Sequence, residues 1–354
     1  SGRSSMRYSH GGDIYTYGEV VDFSVNVNPL GMSEYVAEAA KRGIEKAGAY
    51  PDCQCRELRK KLARRQGLPE AYYVFGNGAA EIFYTLVLAE KPKQALLPVP
   101  AFSEYERALN TVGCRIKYYE TERKDSFCID ERFLSELNEE TDIIFLCSPG
   151  NPSGAVIDRG LLLKVIRLCE KFQIRLVVDE CFAGLLEEPE KHSVMNETAR
   201  CPHLTVVRAF TKTFAMPGLR LGYGITSDAG LTEKMEQMRQ PWSVSIPAQE
   251  AGIAALDEET RVREAGRLIS EERSFLEEQL QRLGIEYVPS DANYILMHSR
   301  IDLFHELKKH NILIRDCSDY RGLEKGWYRT AVRGRRENQI FVQALEKIVK
   351  EAGR

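Results

Sequence analysis

One lysine and one arginine, eight positions apart, carry the first chemical signal in this chain. Lys212 and Arg220 stand in the stretch Arg208-Ala209-Phe210-Thr211-Lys212-Thr213-Phe214-Ala215-Met216-Pro217-Gly218-Leu219-Arg220-Leu221-Gly222-Tyr223-Gly224, directly after the strand formers Leu204-Thr205-Val206-Val207. A lysine at the end of a buried strand is poorly solvated, which favours its neutral, nucleophilic amine. An arginine held nearby can fork onto a phosphate. Amine and phosphate clamp together suit a phosphorylated aldehyde held as a Schiff base, which points to pyridoxal phosphate. A surface lysine and arginine flanking a turn would present the same residues, so the rest of the chain must decide.

Four further groups could serve such a site, and each has a plainer reading. Gly76-Asn77-Gly78-Ala79-Ala80 falls at a strand–helix junction. It is either simple turn chemistry or a helix N-terminus offering N–H groups to a phosphate. It is neither a P-loop nor a dinucleotide fingerprint. Asp179, ending Leu176-Val177-Val178, is a helix cap or a buried partner for a protonated ring nitrogen. Asn151, within Ser148-Pro149-Gly150-Asn151-Pro152-Ser153-Gly154, is a turn former or a donor to the ring's phenolic oxygen. Phe102 is a core residue or a ring-stacking one.

The elements that must position these residues alternate between strand and helix. Strands are expected at 72–75, 94–99, 114–120, 141–147, 174–178, 204–210 and 219–225. Helices are expected at 33–46, 79–88, 102–109 and 161–172, with a charged amphipathic helix after Tyr50-Pro51-Asp52 turning Leu58 and Leu62 inward. Such alternation predicts an α/β fold with a mostly parallel, helix-covered sheet, whose chemistry gathers at the carboxyl ends of the strands. Gly78, Asn151, Asp179 and Lys212 all fall at such ends. After Gln240 the pattern changes. A long charged helix over 258–283, stopped by Gly284, precedes strands near 293–297 and 327–332 and helices near 301–310 and 335–352. The expected organisation is an arm over 6–32, a large cofactor-binding domain over 33–240 and a smaller α+β domain over 241–354. Ser1–Ser5, ahead of Met6, reads as an expression remnant.

Composition sets outer bounds. With 354 residues, 43% of them hydrophobic and 29% charged, the chain is an ordinary globular one able to bury a large core. A net charge of −3 without a basic block argues against nucleic acid or an anionic membrane as partner. No apolar run reaches the length of a spanning helix, and no signal-peptide core opens the chain. The nine cysteines are scattered, and Cys53/Cys55 lacks a second pair or a histidine at zinc spacing. No metal site is expected, and a reduced cytoplasmic setting is.

Taken in order, Gly-Asn-Gly, an aromatic, Asn-Pro-x-Gly, Asp-Glu, Thr-Lys and Gly-Leu-Arg each stand at a strand end. From His10 to the C-terminus the chain resembles the fold-type I pyridoxal-phosphate enzymes of the class I/II aminotransferase group. The resemblance implies Lys212 as the Schiff-base lysine, Asp179 at the pyridine nitrogen, Asn151 at the phenolic oxygen and Phe102 stacked on the ring. It implies a phosphate cup from Gly78, Ala79, Ala80, Thr211 and Arg220. Tyr50 would reach the phosphate of a neighbouring subunit in a homodimer, and Arg329 would bind the substrate carboxylate. Three positions depart from the pattern: Ala209 replaces a hydroxyl residue three before the lysine, Ala79 follows Gly78, and Phe182 replaces a tyrosine that shares the phenolic oxygen with Asn151.

Within the group the chain most resembles the threonine-phosphate decarboxylases of the cobalamin pathway. This likeness rests on His10-Gly11-Gly12-Asp13, the run Asp22 to Gly31, Phe182, the run Met216 to Tyr223, Pro241 to Val244, and Ala331-Val332-Arg333. It implies decarboxylation of a small O-phosphorylated amino acid, threonine phosphate, to aminopropanol phosphate. Histidinol-phosphate aminotransferases, with tyrosine at 182 and glycine at 333, give the alternative of transamination. A non-catalytic binding protein that kept the fold is a second alternative. Either enzyme needs a second basic cluster for the substrate, with Arg333, Arg321, Asn28, His10, Gly11 and Gly12 as the expected contacts.

Overall fold

The structure, a computed structural model, describes residues 9–353. Ser1–Ser5, expected as an expression remnant, and the start of the arm lie outside the described residues. A seven-stranded sheet organises the larger part, in the spatial order 73–76, 222–225, 204–209, 175–179, 143–147, 94–99, 115–120. All neighbours run parallel except at Gly222–Ile225, which is antiparallel to both sides. The return from Leu204–Ala209 is twelve residues holding a one-turn helix, Phe210–Thr213, and a 3-10 turn, at the lower limit of the crossover a parallel pair needs. The strand run expected over 219–225 therefore shrinks, because 217–219 is a 3-10 turn leading into Arg220.

Both faces of the sheet are apolar, as a covered sheet demands. Tyr73, Phe75, Leu96, Ile144 and Leu146 point into one core, while Val74, Leu97, Ile143 and Phe145 point into the other. A third core belongs to the C-terminal part. There the helix Glu259–Arg282 lays Ala265, Ile269, Leu276 and Leu280 against a four-stranded antiparallel sheet ordered 315–316, 327–331, 294–298, 286–287. The arm joins this core: Val21–Asp22 pairs in parallel with Ile312–Leu313, and Phe23 stacks on Phe341 at 4.9 Å.

The helix Ile246–Ala255 had no counterpart in the sequence reading. Ala248, Ala251, Gly252, Ala254 and Ala255 are all buried, so it shows no polar face and no helical stripe. It packs beside Glu34–Glu45 so closely that a Cβ on Gly43 would stand 2.7 Å from the Cα of Pro247. A boundary at 240 would assign this helix to the second domain, whereas its alanines lie in the core of the large sheet. Among the described residues no helix is long and apolar enough to cross a membrane.

Candidate active site

The parallel strands end on one edge, and so does Tyr73–Gly76, while Gly222–Ile225 begins there. That edge brings Gly78, Phe102, Asn151, Asp179, Lys212 and Arg220 to the same place. A cavity of about 440 Å³ opens there, walled also by Arg329, Arg315 and the arm residues His10, Gly11, Ser24 and Asn26.

Lys212 sits at the turn after Leu204–Ala209. Burial pulls its ammonium down to about 8, the charges of Arg329 and Arg220 push in the same direction, and Cys181 opposes them. At a slightly alkaline pH the amine is free to attack a carbonyl or to carry a proton. Its main chain is fastened from the arm: the Asn28 N–H donates to the Lys212 carbonyl at 2.8 Å, and the Asn28 amide donates to Thr213 O at 2.9 Å. Asn28 is thus buried behind the lysine and does not line the cavity, contrary to its expected place at the substrate.

Gly78 is the N-cap of the helix Ala79–Glu90 and takes φ of +82°. A Cβ there would stand 2.2 Å from Arg220 Nη2, so the guanidinium lies where a side chain would be. Arg220 is anchored by donating to Pro217 O at 3.1 Å. The helix start leaves its first N–H groups without intrahelical partners, and Ala79, Ala80, Thr211 and Arg220 all line the cavity. Free N–H groups, a hydroxyl and a guanidinium around one concavity fit a phosphate. Ala209 also lines the wall, so Thr211 is the hydroxyl on this side.

Asp179 is buried, with Oδ1 accepting from Cys181 N at 2.9 Å and Oδ2 accepting from the Tyr105 phenol. Burial raises its carboxyl above the ordinary value, and the Cys181 and Tyr105 hydrogen bonds pull it back. The Asn151 Oδ1 accepts from Arg329 Nη1 at 2.5 Å and from the Tyr320 hydroxyl at 3.1 Å. With the oxygen occupied, the NH₂ group is the part of Asn151 left to donate. Phe182 lies in the same wall, its ring edge-on to Tyr294 at 4.8 Å and 5.7 Å from Lys212 Nζ. Where a tyrosine would present a phenol, this chain presents hydrocarbon. Phe102 lines the cavity 5.7 Å from the His10 ring.

Arg329 is buried, and its partners are neutral: Asn151 Oδ1, Ser24 O at 3.0 Å and the Tyr320 hydroxyl. Its Nε has no partner. Among the described residues no carboxylate pairs with it. Directly across the strands stands Arg315, the register partner of Arg329. Both therefore project from the same face of the sheet. Arg315 is paired with Asp319 at 3.1 Å and donates to Ser9 O at 2.7 Å.

His10 lines the cavity, its Nε2 at 2.7 Å from Glu104 Oε1, and Gly11 follows it there. Glycine is required at 11, because a Cβ would meet Ser24 O at 2.2 Å. Gly12 lies behind this wall, its N–H donating to Ser24 Oγ at 2.8 Å. Two further expected substrate contacts, Arg333 and Arg321, stand elsewhere. Arg333 donates to Asp22 O at 2.7 Å and pairs with Glu337, tying the arm to the last helix. Arg321 pairs with Glu106 at 2.7 Å and lies over the Tyr118 ring, outside this cavity. Tyr50 is 80% exposed on the surface, beside Trp242 at 5.1 Å.

The sequence reading missed Tyr105, Tyr320, Arg315 and Asn26. Tyr105 follows Phe102 by three residues on the helix Ser103–Thr111, a spacing that put it on the same helical side. The other three carry no local signal, since pairing across the sheet and the course of the arm bring them in.

The family model described as aminotransferase class I and II matches residues 18–345. Threonine-phosphate decarboxylase of Salmonella typhimurium is 33% identical over 353 residues, covering 96% of each chain. Histidinol-phosphate aminotransferase 2 of Carboxydothermus hydrogenoformans is 31% identical over 337 residues, covering 92% of this chain and 90% of that protein. The crystal structure of the histidinol-phosphate aminotransferase from Clostridium acetobutylicum superposes with a TM-score of 0.88 at 29% identity, covering 94% of this chain and 100% of that one. The chain belongs to the class I and II aminotransferase family, and it is a pyridoxal-phosphate-dependent enzyme.

Proposed function

We propose that this enzyme decarboxylates a small O-phosphorylated amino acid, threonine phosphate, releasing CO₂ and aminopropanol phosphate. The observation that carries the reading is the pair Arg329 and Arg315, directly opposite each other on one face of the sheet at the cavity. A buried guanidinium without an anion is costly, and Arg329 has only neutral partners. A substrate carboxylate would complete it with a two-pronged hydrogen bond. Arg315 and the His10-Gly11 backbone would take a second anionic group close by. Cross-strand neighbours have Cβ atoms about 5 Å apart. Two anions that near each other fit one compact molecule carrying both a carboxylate and a phosphate.

Pyridoxal phosphate would be held by Lys212, by Asp179 at its ring nitrogen, by Asn151 at its phenolic oxygen and by Phe102 at its face. Gly78, Ala79, Ala80, Thr211 and Arg220 would hold its phosphate. When bound, this cofactor supplies an electron sink for the pair left behind at Cα. The protein's own part is orientation. Arg329, fixed by Asn151 and Tyr320, would set the direction of the carboxylate and so which Cα bond is aligned for cleavage. Lys212 Nζ would move a proton to or from Cα. Phe182 gives the phenolic oxygen no second donor, in keeping with a departure from transamination. We read the protein as a cytoplasmic homodimer of the cobalamin pathway in which the exposed Tyr50 would reach the partner's cofactor phosphate.

Product analysis of the holoenzyme with threonine phosphate and no keto acid tests this. Release of CO₂ with stoichiometric amine phosphate is expected. Turnover only when a keto acid is added would replace the proposal with transamination.

A further inference from the structure

Asp179 carries the site's central acid–base problem: a buried carboxylate that must stay charged to hold a protonated ring nitrogen. Burial alone would neutralise it. The groups around it are the Tyr105 phenol from the helix Ser103–Thr111, the Cys147 thiol from the neighbouring strand, the Cys181 thiol and N–H, Glu180 and the Tyr294 phenol. None of these is a cation, and no lysine or arginine is bonded to Asp179 among the described residues. Charge-assisted hydrogen bonds must therefore do what an ion pair would do elsewhere.

Tyr105 is built for that task. It is 1% exposed, stacked on Phe145 at 5.0 Å and 14°, with the edges of Phe83 and Phe102 at 5.1 and 5.7 Å. Three rings thus fix the phenol in one orientation, with its hydroxyl on Asp179 Oδ2. We infer that Tyr105 is a positioning residue that keeps Asp179 anionic and aligned for the cofactor's ring nitrogen. Burial and the adjacent carboxylate push the Tyr105 hydroxyl far above its usual range, so it remains a donor at every working pH. An ionised carboxylate accepts about four hydrogen bonds. Tyr105 holds Oδ2 and Cys181 N holds Oδ1, with the Cys181 thiol a further donor. The contact with Phe102 also couples the residue expected at the ring face to the one expected at the ring nitrogen.

The inference rests on the cofactor assignment and is independent of which bond the enzyme breaks. Its test is an infrared difference titration of the full-length apoprotein, with the Asp179 band identified by its loss in Asp179→Asn. Removing a donor to a carboxylate raises its proton affinity, so Tyr105→Phe is expected to move the Asp179 midpoint up by about one pH unit. A ring-fluorinated tyrosine at 105 keeps the shape and donates more strongly, and is expected to move the midpoint down. Opposite shifts in the two variants support the role, since a packing defect would not change sign. An unchanged midpoint in Tyr105→Phe, or shifts of the same sign, overturns it. The titration uses neither cofactor nor substrate, so its outcome stands apart from the product analysis.

Discussion

Gly78→Ala isolates the phosphate cup from the rest of the site. The new methyl would lie 2.2 Å from Arg220 Nη2 and 2.9 Å from its Cζ. The guanidinium is the far end of a flexible side chain, so it yields before the backbone does. Two costs follow and fall on different measurements. Holding alanine at φ near +82° costs about 1–3 kcal/mol, present with or without cofactor, and so lowers the stability of the apoprotein. Displacing Arg220 removes a charge-assisted bond to the phosphate, worth roughly 1.5–3 kcal/mol, and so weakens cofactor affinity by roughly 10- to 100-fold. The assay is fluorescence titration of the apoprotein with pyridoxal phosphate, alongside thermal unfolding without cofactor. Gly218→Ala, in the turn that leads into Arg220 and with nothing within 4 Å of the added methyl, is the control and should change affinity less than about twofold. A Gly78→Ala protein that loses stability but binds the cofactor as Gly218→Ala does would refute the placement of Arg220 on the phosphate.

Two other predictions follow from charge. Lys212 is held near 8 when folded and returns to its ordinary value of about 10.4 when unfolded, so the unfolded chain binds the extra proton. Apoprotein stability should therefore rise with pH between these values, and Lys212→Met should be more stable than wild type at pH 7 by a margin that shrinks toward pH 10; a constant margin in chemical denaturation would contradict the shifted lysine. Arg333→Ala should cost about 1 kcal/mol by freeing Asp22 O and Glu337, with KM for threonine phosphate within about twofold of wild type. A tenfold rise in KM at unchanged kcat would return Arg333 to the substrate.

The cofactor end of the site was legible because each of its residues sits at a strand end that the sequence marks by pattern. A run of apolar strand formers that breaks into glycine, proline or polar residues is a local signal, and Gly78, Asn151, Asp179 and Lys212 all lie just beyond such a run or at its end. Parallel strands then deliver them to one edge without further instruction. The buried helix Ile246–Ala255 was illegible for the converse reason. A helix covered nearly all round has no polar face to create a period, and its alanines and glycine read as featureless.

The substrate end depends on register, which no local pattern encodes. Arg333 was expected at the substrate because the resemblance sets an arginine there and a phosphorylated substrate needs a second basic cluster, yet the strand Trp327–Ala331 ends two residues earlier and the chain turns it onto Asp22 and Glu337. Arg315 lies in a strand of two residues, too short to announce itself, and reaches the cavity only because it pairs with Arg329. Alternation then does the rest: opposite residues in an antiparallel pair share a face, so fixing Arg329 in the cavity fixes Arg315 there too. Two guanidinium groups on one face repel, and the fold compensates only one of them, pairing Arg315 with Asp319 while leaving Arg329 with neutral acceptors. That asymmetry marks Arg329 as the guanidinium of the two that lacks an anionic partner. It also explains why the arm matters. Ser24 O and Ser9 O, both on the arm, accept from the two arginines, so the same segment that holds Lys212 through Asn28 also holds the cations that would orient the substrate.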